Sequence, residues 1–220
     1  PQLVKELNAL LTGERVDEPA GFANTYHFWQ GPEDDSLTDP ANWSDYIYLN
    51  AGITYTQEDG PPKAHWCAEI DGGSAVADKD TEFLGLEVGG GLTVKPGVTV
   101  HARNELRVAD KGQLVLQGGV VESLRWVDVQ LGGTLSGHGS VNADLFSKGT
   151  LALSVDKPLV VEGAAKLSGK LSLAGAGKVK RGQSVTVLKA ASISGRFEND
   201  KASFAGQTYS IAYTPTSVTV

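Results

Sequence analysis

Between Glu82 and Gly177 the chain alternates apolar and polar positions in short bursts. Leu84/Leu86/Val88, Leu92/Val94, Val98/Val100, Leu106/Val108, Leu114/Leu116, Val127/Val129, Leu151/Leu153/Val155, Leu159/Val161 and Leu171/Leu173 all recur at a spacing of two. That is the period of a strand with one buried face. The bursts are separated by Gly89-Gly90-Gly91, Pro96-Gly97, Asp110-Lys111-Gly112, Gly118-Gly119, Gly132-Gly133, Gly137-His138-Gly139 and Lys148-Gly149. Residues of this kind accept the backbone angles of sharp corners. Two all-β architectures fit the pattern: a right-handed parallel β-solenoid, and an antiparallel β-sandwich or jelly roll. Sandwich strands usually run about 5–6 residues, whereas many bursts here offer two inward positions before a glycine. Strands that short suit stacked coils, in which each turn is buried only by the turns on either side of it, and the solenoid is the expected fold.

Before Glu82 the pattern changes twice. Leu3, Val4, Leu7, Leu10 and Leu11 fall on one stripe, and Thr12-Gly13 supplies a stop, so Gln2 to Leu11 is predicted as the single helix. A polar linker follows to residue 21. Residues 22–80 form a loop-rich region with predicted strands at Tyr26–Trp29, Tyr46–Asn50 and His65–Ile70. The solenoid is expected over 81–220, closed by a hairpin whose arms, Tyr209 to Tyr213 and Ser217 to Val220, meet at Thr214-Pro215-Thr216.

The chain has 220 residues and a formal net charge of −7. The charge is unevenly spread: residues up to Ser147 carry 9 Lys and Arg against 22 Asp and Glu, and from Lys148 onward the counts are 10 and 4. An acidic front without interleaved Arg, Lys and aromatic residues argues against nucleic acid as a partner. The basic rear, with Lys157, Lys166, Lys170, Lys178, Lys180, Arg181 and Lys189, suits a sulfated or uronic polysaccharide, and equally suits lysine protection of exposed strand edges. No apolar run approaches the roughly 20 residues of a membrane helix. Cys67 stands alone, so neither an internal disulfide nor a cysteine metal cluster can form, and a buried thiol is expected. The chain begins at Pro1 and contains no methionine, which reads as a piece of a longer protein.

Candidate chemistry concentrates in residues 22–66, which hold nine of the sixteen aromatic residues. The flat apolar face of a pyranose stacks on Trp or Tyr while polar neighbours meet its hydroxyls. Trp29, Trp43, Trp66, Tyr26, Tyr46 and Tyr48, with His27, His65, Gln30 and Asp45 at the rim, supply both halves of such a platform. The competing reading packs the tryptophans into the first coil. Trp126 beside Arg125 is a further candidate platform on the side of the solenoid. Asp34, Asp35 and Asp39 have the charge density of a calcium loop but lack an Asp-x-Asp-x-Asp-Gly register, so a solvated loop accounts for them equally, and no other cofactor is expected. The signals for catalysis are thin: no G-x-S-x-G, H-E-x-x-H, P-loop or C-x-x-C occurs. Asp128, Asp144 and Asp156 with Arg103, Arg107 and Arg125 resemble the aspartate and arginine sets of solenoid polysaccharide lyases, although solvated strand faces explain the same residues.

Several motifs carry a family resemblance. Phe28-Trp29-Gln30-Gly31, then Asp39-Pro40-Ala41-Asn42-Trp43-Ser44, is similar to the Trp-x-Gly…Asn-Trp opening of exported bacterial β-solenoid segments of the autotransporter-passenger type. The runs Gly133 to Val141 and Lys148 to Leu153 resemble their Gly-Thr-Leu and Gly-x-Gly-x-Val repeats, and Val187 to Phe197 resembles their closing Gly-x-Phe element. The resemblance covers most of Phe28 to Phe197. It departs in length, and no membrane-barrel segment follows. It implies secretion or cell-surface location and a polysaccharide-facing role. The first eleven residues also resemble the closing helix of hydrolases such as sulfatases, which implies a catalytic neighbour in the same full-length chain. The leading expectation is therefore a non-catalytic carbohydrate-binding accessory module that tethers an exported enzyme to plant or algal polysaccharide. The alternatives are a structural stalk or adhesin segment, and a small polysaccharide lyase or hydrolase.

Overall fold

The computed structural model describes residues 26–46, 61–177, 179 and 182–220, with the backbone alone for Tyr26, Asp45 and Tyr46. The helix expected at Gln2–Leu11, its linker, Tyr48, Lys178, Lys180 and Arg181 lie outside these residues.

Most apolar bursts form strands of a few residues, while Gln113–Val129 and Thr134–Ser147 run on around corners, and the strands pair in parallel with the strand one turn along the chain. Leu86 faces Leu106, Leu92 faces Leu114 and Val100 faces Val121, steps of 20, 22 and 21 residues. The chain is therefore a parallel β-solenoid, and the sandwich alternative falls because its strands would pair antiparallel. Three ladders make up its walls. The first runs through Tyr26–Trp29, Cys67–Ile70, Gly85–Val88, Glu105–Val108 and then 126–129, 145–147, 165–167 and 193–195. The second begins at Asp35–Ser36 and Ser74–Ala77 and ends at Lys170–Ala174. The third begins at Thr81–Phe83 and ends at 188–190. Cys67–Ile70 and Ser74–Ala77, inside the loop-rich region expected over residues 22–80, already pair as part of this stack.

Period two decides which side chains face inward, and the parallel register stacks them into continuous columns. Ala75, Leu92, Leu114, Leu135, Leu151 and Leu171 form one, and Val100, Val121, Val141 and Val161 form another. All are buried. Each aliphatic side chain placed in such a column contributes about 1.5–3 kcal/mol. Corners are set by a column of glycines at the junction of the first and second ladders. Gly90, Gly112, Gly133, Gly149 and Gly169 each bring the backbone against a carbonyl of the preceding turn, where a Cβ would collide with that oxygen. Their own carbonyls accept from Gln113, Thr134, Thr150, Lys170 and Glu198 N–H groups one turn later, at 2.7–2.9 Å. The Gly-Thr-Leu repeat is thus a corner glycine, an outward threonine and an inward leucine.

Antiparallel strands close the stack. At the front, Trp43–Tyr46 pairs antiparallel with Tyr26–Trp29. At the rear, Ser217–Thr219 pairs antiparallel with Thr186–Gly195 and with Ala212–Tyr213, the second arm of the expected hairpin. The first arm divides: Gln207–Ser210 instead pairs with Lys201–Phe204. The last strand of the second ladder is closed by a side chain, because the Asn199 carboxamide accepts from Leu171 N–H and donates to Leu171 O, both at 2.9 Å. These devices cover backbone groups that would otherwise recruit a foreign strand.

Candidate functional site

The front aromatic residues do not form an open platform. In Tyr26–Trp29, alternation turns His27 and Trp29 inward, and both are buried, at 1 % and 7 % exposure. Trp66, one residue before its strand, is 1 % exposed and lies flat against His27, with ring centroids 3.5 Å apart and planes 5° from parallel. Trp43 meets Trp29, Trp66 and Phe83 at 5.6, 6.1 and 6.0 Å between centroids, and its Nε1 donates to the Leu37 carbonyl at 2.9 Å. These rings plug the first turns of the stack. Among the described residues, His27, Trp29, Trp43, Trp66 and Phe83 make up this plug. Trp29 and Trp66 are therefore interior residues with no ring face available to a sugar. Tyr26 and Tyr46 sit on the paired front strands, and His65 is half-buried beside Trp66.

The acidic loop is held by its own donors. Asp34, at φ 59°, accepts from Ser74 Oγ at 2.7 Å. Asp35 Oδ1 accepts from Ser36 N–H at 2.7 Å, and Asp39 caps the short helix Pro40–Asn42 by accepting from Ala41 N–H at 2.9 Å. Among the described residues, no group of three or more His, Cys, Asp or Glu side chains is arranged to hold a metal ion.

Two of the three aspartates that resemble a lyase set are spent on corners. Asp144 Oδ1 accepts from Ala164 N–H and Asp156 Oδ2 from Ala176 N–H, at 2.8 and 2.9 Å. Arg103 bonds Glu82 at 2.6 Å on the third ladder, while Arg107 lies on the first. Asp156 and Arg103 thus lie apart from Asp128, Asp144, Arg107 and Arg125, which share the outer face of the first ladder.

The outer surface of the first ladder is different. Its outward positions stack Glu69, Glu87, Arg107, Asp128 and Phe146 in one column and Glu105, Trp126 and Asp144 in the next. Arg107 bonds Glu87 at 3.0 Å and Glu105 at 2.7 Å. Trp126 is half-buried; the Arg125 guanidinium stands 4.2 Å from its ring centroid, and Phe146 meets it edge-on at 6.2 Å. Arg125 is held by Asn104 Oδ1 at 3.2 Å. Leu124 and Leu131, 74 % and 76 % exposed, flank this turn. The result is an exposed apolar strip bordered by both signs of charge. Phe146 escaped the sequence reading because it joins Trp126 only through the turn-to-turn register.

Burial, then Glu87 and Asp71, push the Glu69 carboxyl above the usual carboxylate range. Folding thus favours its protonated form, so its charge opposes folding at neutral pH, and this cost fades as pH falls toward the ordinary carboxylate pKa. Glu69→Gln is expected to raise the melting temperature at pH 7, with the gain disappearing as pH falls toward 4 in a thermal melt series. Cys67, expected in the core, occupies an outward position of Cys67–Ile70 and is half-buried. Burial pushes its thiol up, which keeps it protonated and unreactive at neutral pH.

Compared with known proteins, the chain matches no family model, no curated protein and no solved structure. Among the described residues no helix is long and apolar enough to cross a membrane.

Proposed function

We propose that this chain is a non-catalytic glycan-binding module whose contact surface is the outer face of the first ladder around Trp126. The observation that carries the reading is the pairing of an outward indole with Arg125 and Phe146 on a flat parallel wall. Aromatic rings with polar neighbours on a flat surface suit an extended polymer of pyranose rings. Glu105, Asp128 and Asp144 border the strip, and the Asp144 oxygen not held by Ala164 N–H is left as an acceptor for a sugar hydroxyl. The role is to hold a catalytic neighbour of the full-length chain near polysaccharide, raising the effective concentration of its substrate. The resemblance to passenger-type segments supports an exported, bacterial, extracellular setting. A right-handed coil is part of the same reading, since parallel crossovers take that hand in about 98 % of cases; so is a helix at Gln2–Leu11 lying on the front of the stack.

Affinity electrophoresis against a broad panel of plant and algal polysaccharides tests the proposal. Retardation by at least one polymer is expected, and Trp126→Ala should weaken it about tenfold while leaving the far-ultraviolet circular dichroism unchanged. No retardation by any polymer would discard the reading and leave the structural stalk, which the continuous core and closed rear end favour.

A further inference from the structure

A second surface, unconnected with the Trp126 face, has the makings of a binding site. In the inward column Leu116, Gly137, Leu153, Leu173, one position has no side chain. Gly137 adopts φ 90°, and a Cβ there would strike the Leu116 carbonyl, so the gap is built into the backbone. It opens outward into a groove of about 310 Å3 on the second ladder and the corner that follows it. That volume lies at the lower end of the range for small-molecule sites, about 300–1,000 Å3.

The groove runs along the stack. Gln117 faces His138 on the next turn, Ser154 and Lys157 belong to the turn after, and Ala174 faces Ser154 on the fourth. With turns separated by about 4.8 Å, its length is roughly 14 Å. Its floor is apolar, from Val115 to Ala174, and its rim carries Gln117, His138, Asp156 and Lys157. Asp156 is fixed by Ala176 N–H. Among the described residues, Gln117, His138 and Lys157 make no side-chain hydrogen bond or ion pair. Their donors and acceptors are therefore unspent and converge on one floor.

We infer that this groove is a subsite for an acidic sugar unit of a uronate-bearing glycan. The apolar face of the pyranose would lie on the floor between His138 and Ala174, its carboxylate would pair with Lys157 Nζ and a His138 N–H, and its hydroxyls, with those of the adjoining unit, would bond Gln117 and the remaining Asp156 oxygen. Two features select an acidic over a neutral unit. A cation and an imidazole share the rim with one carboxylate, Asp156, of which one oxygen is already taken by Ala176 N–H, and the chain from Lys148 onward holds 10 Lys and Arg against 4 Asp and Glu. On the Trp126 wall the cations Arg107 and Arg125 are already engaged by Glu87, Glu105 and Asn104, whereas Lys157 on this rim is held by no side chain, so the two surfaces differ in the charge they leave free. The subsite takes its ligand class from the glycan-binding proposal but none of its residues.

Isothermal titration with a short oligouronide and a neutral oligoglucan of equal length tests it, read alongside the His138 ring resonances. The oligouronide is expected to bind at least tenfold more tightly and to shift those resonances. Lys157→Ala should weaken it about tenfold, the effect of one charge-assisted bond, and Ala174→Trp, at an exposed position, should abolish it by filling the groove. Trp126→Ala should leave it within twofold. Equal affinity for the two oligosaccharides, or binding that survives Ala174→Trp, overturns the inference. Failure of the oligouronide to bind while Trp126-dependent retardation persists overturns the groove and leaves the first surface standing. Loss of oligouronide binding only in Trp126→Ala assigns the ligand to that surface and does the same.

Discussion

Gly112→Ala is expected to lower the free energy of unfolding by about 3 kcal/mol. The added Cβ would strike the Val88 carbonyl oxygen, which belongs to the preceding turn and already accepts from Ala109 N–H at 2.9 Å. A flexible side chain could swing aside; a ladder carbonyl cannot. Relief requires the two turns to separate, which weakens Gln113 N–H to Gly90 O and Thr134 N–H to Gly112 O, now 2.7 and 2.9 Å. The overpacking contributes about 1–3 kcal/mol and each weakened bond about 0.5–1.5 kcal/mol. Gly72→Ala is the control, because a Cβ there meets nothing within 4 Å and its φ is ordinary; it should stay within about 0.5 kcal/mol of the parent. Guanidinium denaturation reads both, with the midpoint moving and the slope unchanged. A Gly112→Ala protein with the parent midpoint would mean that the corners are looser than described.

Trp66→Ala is expected to cost about 3–5 kcal/mol, and the size of that loss separates an interior ring from a ligand platform. The indole is wedged between His27 and the edge of Trp43, and its removal leaves a hole the width of a turn at the front of the stack. Trp126→Ala, on the outer wall, should cost far less stability and show its effect in glycan binding. Thermal melts of the two variants side by side make the comparison. If Trp66→Ala melts with the parent and loses only glycan retardation, the ring is a platform after all.

Much of the architecture was legible in the residues themselves. Leu86/Val88 or Leu151/Leu153/Val155 reads as an inward set because one face of every strand is buried, although Leu84, grouped with the former, lies half-buried in the bend before its strand; the glycine pairs mark corners because little else fits there. The function of the front aromatics was not legible. His27 and Trp29 differ from Tyr26 and Phe28 by one position of parity, and Trp66 lies outside its strand, so composition alone could not tell a plug from a platform. The lateral neighbours were hidden for another reason. Turn length varies, from 16 residues between Leu135 and Leu151 to 41 between Tyr26 and Cys67, and without that register neither Trp126 with Phe146 nor Gln117 with His138 can be paired. Asp144 and Asp156 looked available for chemistry because a carboxylate that accepts a corner N–H has the same letter as one that waits for a ligand.

The antiparallel closures have a bearing on how such a rod could be lengthened. A further repeat appended to the first ladder at the front, or to the third at the rear, would meet a strand running the wrong way. Growth, whether by gene duplication or by an engineer, must therefore splice whole coils into the interior, for instance beside 105–129, where the corner glycine and its carbonyl acceptor would be copied together. A rod extended that way keeps its two blunt tips and gains wall area with each inserted coil.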